Sequence, residues 1–126
     1  MTPTRPWVSC ACGSLLLLAS ACRTTPSSVA EGRQLYGEHG CANCHGARGH
    51  GDGPTALALT TQPRDFRNAA AFKNGTDVVA VAGTLSKGLG EGAGRMPSYG
   101  HLSAGDRESL ALFVISLRSE ETANKE

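Results

Sequence analysis

Cys41 and Cys44 stand two residues apart, His45 follows directly, and a glycine-rich run then leads to Pro54, giving CANCHGARGHGDGP. This stretch limits the fold more than any other, because it is where the chain can be stapled. Elsewhere the apolar patterning supports three substantial helices, with 5% aromatic residues and 16 glycines in 126 residues. That length suits a single domain. A core so thin commonly needs a metal, disulfides or a large cofactor to hold it.

Helix signals divide the rest of the chain. Ser28 with Glu31 makes a Ser-x-x-Glu capping box, and the helix it opens is predicted to reach about His39 and stop at Gly40. Gly32 and Tyr36 share one face of it. Gly46 to Gly53 reads as loop. Pro54 opens a predicted short helix through Leu59, Gln62 to Asn68 is loop, and Asn74-Gly75 is a turn. A second clear helix is predicted from Asp77 to Lys87, capped by Thr76 and stopped by Gly88. Leu89 to Tyr99 is a glycine-rich loop carrying Met96-Pro97. The last helix has the firmest pattern: Ser103 and Asp106 form a capping pair, and Leu110, Phe113, Val114 and Leu117 repeat at i, i+3, i+4 and i+7. Glu120 to Glu126 reads as a charged, frayed tail. No stretch alternates as a strand does, so the expected class is all-α with three main helices, short helices and long loops.

The first 21 residues read as a targeting signal. Arg5 is a thin positive region, Val8 to Ala21 is mostly apolar, and Ala19-Ser20-Ala21 supplies the small residues of a cleavage site. The apolar run falls short of the roughly 20 residues that cross a bilayer. LLLLASAC resembles a bacterial lipobox, which implies that Cys22 becomes a lipidated first residue. Ordinary cleavage there leaves an unpaired exported thiol instead. The expected plan is a signal peptide over 1–21, a polar flexible tether over 22–28, the folded domain over 29–119 and a polar tail over 120–126. The expected location is the periplasmic side of a bacterial membrane, lipid-anchored, with a soluble periplasmic protein as the alternative. Without residues 1–21 the chain keeps 11 basic and 11 acidic side chains. A near-neutral surface lacking any basic run argues against nucleic acid as a partner and leaves little long-range steering.

Cys10 and Cys12 leave with the signal, so only Cys41 and Cys44 remain inside the folded domain. Structural zinc wants four Cys or His ligands, usually as two spaced pairs. No second Cys-x-x-Cys exists, and His45 beside Cys44 is cramped for a shared tetrahedron. A thioredoxin-like redox pair belongs after a strand at a helix N-terminus, whereas a helix precedes Cys41. Cys-x-x-Cys-His is also the signature for covalent attachment of haem. Two intervening residues let both sulfurs reach neighbouring vinyl groups on one porphyrin edge, while His45 turns beneath the iron. Export agrees with this reading, and small Gly46 lets the backbone pass close to the ring.

Cys41-Ala42-Asn43-Cys44-His45-Gly46, Gly51-Asp52-Gly53-Pro54, Arg95-Met96-Pro97-Ser98-Tyr99 and the Leu110 to Leu117 helix, in that order, resemble a class I monohaem cytochrome c. The resemblance covers about Val29 to Leu117. It implies the family's all-α fold around one covalent haem c, with thioether links at Cys41 and Cys44 and His45 as one axial iron ligand. Met96, the one methionine besides the initiator, takes the other axial position by the same resemblance, and His/Met ligation is a cytochrome c pattern. A ligating histidine usually gives its second ring N–H to a carbonyl or carboxylate. The family's proline matches Pro54, with Asp52 as the alternative partner. Tyr99 resembles a residue that packs near the haem and hydrogen-bonds a propionate; a plain surface aromatic is the other reading. Gly32 and Tyr36 are expected to face Phe113 and Leu117. His101 is a rival ligand read as a loop residue. His50 and His39 are given no role, His39 lying at a helix end where a cation is favourable.

The function implied is a one-electron carrier in a bacterial respiratory or related redox chain, not an enzyme. Two alternatives stand beside it. One is the haem-bearing subunit that takes electrons into a larger dehydrogenase or reductase, and the other a haem sensor or peroxidase with a labile sixth ligand. Expected partners are redox proteins docking transiently over less than about 1,200 Å², with Gly88 to Gly94 lining that face, and the membrane through Cys22.

Overall fold

The computed structural model describes residues 26–90 and 95–123, the last five as backbone. The signal segment, Cys22 and the start of the tether, Glu91 to Gly94, and Asn124 to Glu126 lie outside the described residues. Four α-helices are described: α1 (Val29–Glu38), α2 (Cys41–His45), α3 (Val78–Lys87) and α4 (Ala104–Ala123). Two 3-10 turns, Ala56–Ala58 and Ala69–Ala71, interrupt the long connection from α2 to α3. The described residues contain no strand, only an isolated antiparallel bridge between Leu89 and Met96. None of these helices is long and apolar enough to cross a membrane.

The helix starts follow local chemistry. Ser28 Oγ accepts the Glu31 N–H at 3.2 Å, as the capping box predicts. The reciprocal half of that box goes elsewhere. Glu31 accepts from Ser109 Oγ at 3.2 Å, and the Ser28 N–H donates to the same Ser109 hydroxyl at 3.2 Å. Ser109 is wholly buried, and these two bonds satisfy it there. Asp77 caps α3 by accepting the Ala80 N–H at 2.9 Å, one residue later than the expected Thr76, because its carboxylate reaches that orphan donor. Ser103 and Asp106 cap α4 reciprocally, Ser103 Oγ accepting at 3.1 Å and Asp106 Oδ2 accepting at 3.2 Å. That helix runs on to Ala123, so the first four residues expected to fray are helical.

The core is where α1 and α3 pack on α4. Leu110, Phe113, Val114 and Leu117, the predicted stripe, are buried together with Tyr36, Val81 and Leu85. The α1–α4 contact is close. A Cβ built on Gly32 would lie 1.9 Å from the Ser109 carbonyl oxygen, so only glycine lets the backbones approach. One turn on, Tyr36 meets Phe113 edge-on at 5.1 Å between ring centroids. Its hydroxyl donates to the Gly46 carbonyl at 2.8 Å, which ties α1 to the end of α2. Burial, aided by the nearby Cys41, pushes the Tyr36 phenol far above its ordinary pKa.

Candidate functional site

The Cys-x-x-Cys-His run forms α2, a helix of five residues that the sequence reading did not foresee. Gly40 enters it at φ 66° and Gly46 leaves it at φ 78°, both in the left-handed region where a side chain is strained. One helical turn puts Cys41, Cys44 and His45 at i, i+3 and i+4, hence on one face. The glycine loop folds back beneath them: the Gly51 N–H donates to the His45 carbonyl at 2.9 Å and the Gly53 N–H to the Cys44 carbonyl at 3.1 Å. A Cβ on Gly53 would fall 2.3 Å from the Asn43 carbonyl oxygen, so this return also requires glycine.

His45 Nδ1 lies 3.4 Å from the Arg64 carbonyl oxygen, a long contact that still fixes which nitrogen faces the backbone. Pro54, expected to supply that carbonyl, is exposed and does not border the cavity that His45 faces. The proline beside the accepting group is Pro63, because the loop passes Pro54 outward into the Ala56–Ala58 turn before returning under the ring. Phe66 stacks on the imidazole at 4.6 Å between centroids and 24° between planes. Burial lowers the His45 pKa, with the Arg64 charge acting the same way and its carbonyl opposing. A neutral imidazole with Nδ1 turned to the backbone leaves Nε2 as the free metal-binding atom.

Met96 lines the same cavity from the segment after α3. Its N–H and carbonyl both pair with Leu89 at 3.0 Å, closing the loop. Gly88, at φ 73°, lies so close to the Met96-Pro97 backbone that a Cβ would meet the Met96 oxygen at 2.7 Å. Ser98 Oγ donates to the Ser86 carbonyl at 2.6 Å, and the Tyr99 N–H donates to the Leu85 carbonyl at 2.8 Å, which clamps the segment to the end of α3. Tyr99 borders the same cavity as Cys41. Burial raises the Cys41 thiol pKa, opposed by its backbone hydrogen bonding and by the nearby Tyr99 hydroxyl.

Cys41, Cys44, His45, Met96 and Tyr99 therefore border one cavity of about 530 Å³, a volume ordinary for a cofactor pocket. Phe66, Phe72, Val81, Leu85 and Val114 make its apolar walls. Arg64, Lys73 and Arg95 also line it, with no acidic side chain among the described lining residues. Sequence reasoning missed Phe66, the Arg64 carbonyl and the cations Arg64 and Lys73, which lie on segments without periodicity, and it took in Arg95 only within the Met96 motif. The surroundings suit a large, flat, apolar group carrying carboxylates: two thiols on one wall, an imidazole beside them, a thioether entering from another segment, and cations nearby. Among the described residues no group of three or more His, Cys, Asp or Glu side chains is placed to hold a bare metal ion.

The family profile of cytochrome c matches residues 29–118. The chain belongs to the cytochrome c family. Its cofactor is covalent haem c, and the cavity's donor set fits that group. Among solved structures, a similar chain belongs to the Kuenenia stuttgartiensis reducing HAO-like protein complex, with 34% identity and a TM-score of 0.63. The alignment covers 75% of this cytochrome c and 46% of that chain, so the present chain spans less than half the length of that neighbour. No curated protein sequence matches it.

Proposed function

We propose that this cytochrome c is a one-electron carrier whose haem is held by thioether bonds at Cys41 and Cys44 and ligated by His45 and Met96. The observation that carries this is the convergence of both thiols, the imidazole and the thioether on one cavity. When bound, haem supplies an iron that cycles between Fe(III) and Fe(II), and a His/Met ligand pair raises its potential. The Arg64 carbonyl orients His45, and the Leu89 bridge presents Met96. Phe66 and the α3 and α4 side chains exclude water, while Arg64, Lys73 and Arg95 are the cations available to meet carboxylates. His45 and Met96 would together hold the iron and leave no position for a substrate, which favours a carrier over a peroxidase or gas sensor. Intact mass of the denatured, haem-loaded protein tests the attachment: one haem added in the native sequence, and a link through one thioether only in Cys41→Ser. Loss of haem on denaturation of the native sequence would refute it.

A second reading is favoured by the HAO-like complex, in which a related segment sits within a longer chain of a redox assembly. The present chain then serves as the haem-bearing subunit that feeds a larger dehydrogenase or reductase. Stoichiometric co-purification with a catalytic subunit supports that reading, and a free monomeric shuttle contradicts it. The Val8 to Ala21 apolar run and Ala19-Ser20-Ala21-Cys22 support export and lipid attachment at Cys22, at the periplasmic side of a bacterial membrane. A bare Cys22 N-terminus in the membrane fraction would overturn the anchor.

A further inference from the structure

The chain has four histidines, and haem binding uses one of them. Of the other three, His50 lies in the glycine loop near Asp65, whose carboxyl the Arg67 guanidinium holds below the usual range with His50 a lesser contributor. The remaining two, His39 and His101, are distant in sequence yet meet in the fold, their ring centroids 6.3 Å apart. Tyr99 completes a triangle with them, at 6.0 Å from His39 and 6.1 Å from His101. His39 is partly buried and His101 is exposed, so the cluster opens to solvent.

Both histidines are launched from fixed backbone. His39 ends α1 as its C-cap, its N–H donating to the Leu35 carbonyl at 2.9 Å, and the following Gly40 N–H donates to the Gly37 carbonyl at 3.1 Å. His101 sits in a turn closed by the Leu102 N–H donating to the Tyr99 carbonyl at 3.1 Å. The Arg107 guanidinium pins that turn by donating to the Gly100 and Leu102 carbonyls. Edge contacts between rings ask only for aromatic residues. Two imidazoles in edge contact add something phenylalanine or tyrosine could not, a pair of nitrogen donors.

We propose that His39 and His101 form a two-imidazole site for a divalent transition-metal ion on the solvent side of Tyr99. A tetrahedral ion held by two metal–nitrogen bonds of about 2.0–2.1 Å would set the ring centroids about 5 Å apart, so the exposed His101 must turn and close in from 6.3 Å for both rings to share one ion. Imidazole donors suit zinc, copper and nickel and do not suit the hard cations magnesium and calcium. Water fills the remaining positions. Tyr99, in ring contact with both histidines, also borders the haem cavity beside Cys41. A bound dication therefore sits on the far side of one ring from the haem cavity, where its charge disfavours the oxidised haem.

The test is calorimetric titration of zinc chloride into the full exported chain, haem-loaded and carrying no polyhistidine tag. One equivalent should bind. His101→Gln and His39→Ala should each weaken binding at least tenfold, and His50→Gln should leave it unchanged. His101 is an exposed turn residue, so His101→Gln decides the matter even where His39→Ala disturbs the end of α1. Zinc should also raise the unfolding midpoint of the native chain and the haem midpoint potential, with both shifts abolished in His101→Gln. Zinc affinity unchanged in His101→Gln, or equally weakened in His50→Gln, overturns the proposal. Because heat of binding is read without reference to the haem, failure of this site is distinguishable from failure of the haem assignment.

Discussion

Gly32→Ala probes the α1–α4 crossing on which the cavity depends. The new methyl carbon would start 1.9 Å from the Ser109 carbonyl oxygen, 2.5 Å from its carbon and 2.8 Å from Phe113 Cβ. Comfortable contact lies at about 3.5 Å, so the helices must part by more than about 1 Å, which forfeits a quarter to a half of each contact well across the seam. The obstacle is backbone and cannot swing aside, so the cost belongs at the upper end of the overpacking range, about 3 kcal/mol. Replacing glycine inside a helix returns about 0.8–1.0 kcal/mol. The net loss is about 2 kcal/mol, which lowers the unfolding midpoint by about 8–16 °C for a domain of this size. Gly83→Ala is the control: it lies within α3, and a Cβ there meets nothing within 4 Å. That variant should gain most of the propensity term and unfold at a higher temperature. Thermal and urea unfolding of the haem-loaded proteins, followed by far-UV circular dichroism, measure both. If Gly32→Ala proves as stable as the native sequence while Gly83→Ala is stabilised, the helix crossing is wrong.

Ser109→Ala removes the acceptor of the Ser28 N–H and the donor to Glu31, leaving groups at a buried seam unsatisfied. The expected loss is about 1–3 kcal/mol, read as a lower urea midpoint at unchanged slope; a loss no larger than for an exposed serine would contradict it. Tyr36 sets the alkaline behaviour. In the unfolded chain its phenol ionises near pH 10, whereas the folded chain holds it protonated well above that. Above about pH 10 the unfolded state therefore binds fewer protons, and stability falls as pH rises. Tyr36→Phe should flatten that limb of the stability–pH curve, and an unchanged slope would show that other groups carry it.

Much of this was legible because short-range chemistry decided it. Ser28, Ser103 and Gly88 mark helix ends through bonds a few residues long, and the Leu110 to Leu117 stripe is buried as its period requires. The adjacency of Cys44 and His45 and the lone Met96 pointed to the cofactor before any geometry was known. What escaped depends on how non-periodic loops return. The carbonyl beside His45 comes from Arg64, not Pro54, because the Ala56–Ala58 turn sends the chain out and back. Ser109 took over half of the Ser28 capping box through a helix contact that no local motif encodes. The meeting of His39 with His101 likewise follows from α1 packing on α4.

The central claim is that His45 and Met96 would both ligate the haem iron, and the visible spectrum of the oxidised, haem-loaded protein at neutral pH tests it most directly. The account predicts a low-spin spectrum with a weak iron–thioether band at its red edge, and loss of that band in Met96→Ala. A high-spin spectrum in the native sequence, or a band that survives Met96→Ala, would contradict it.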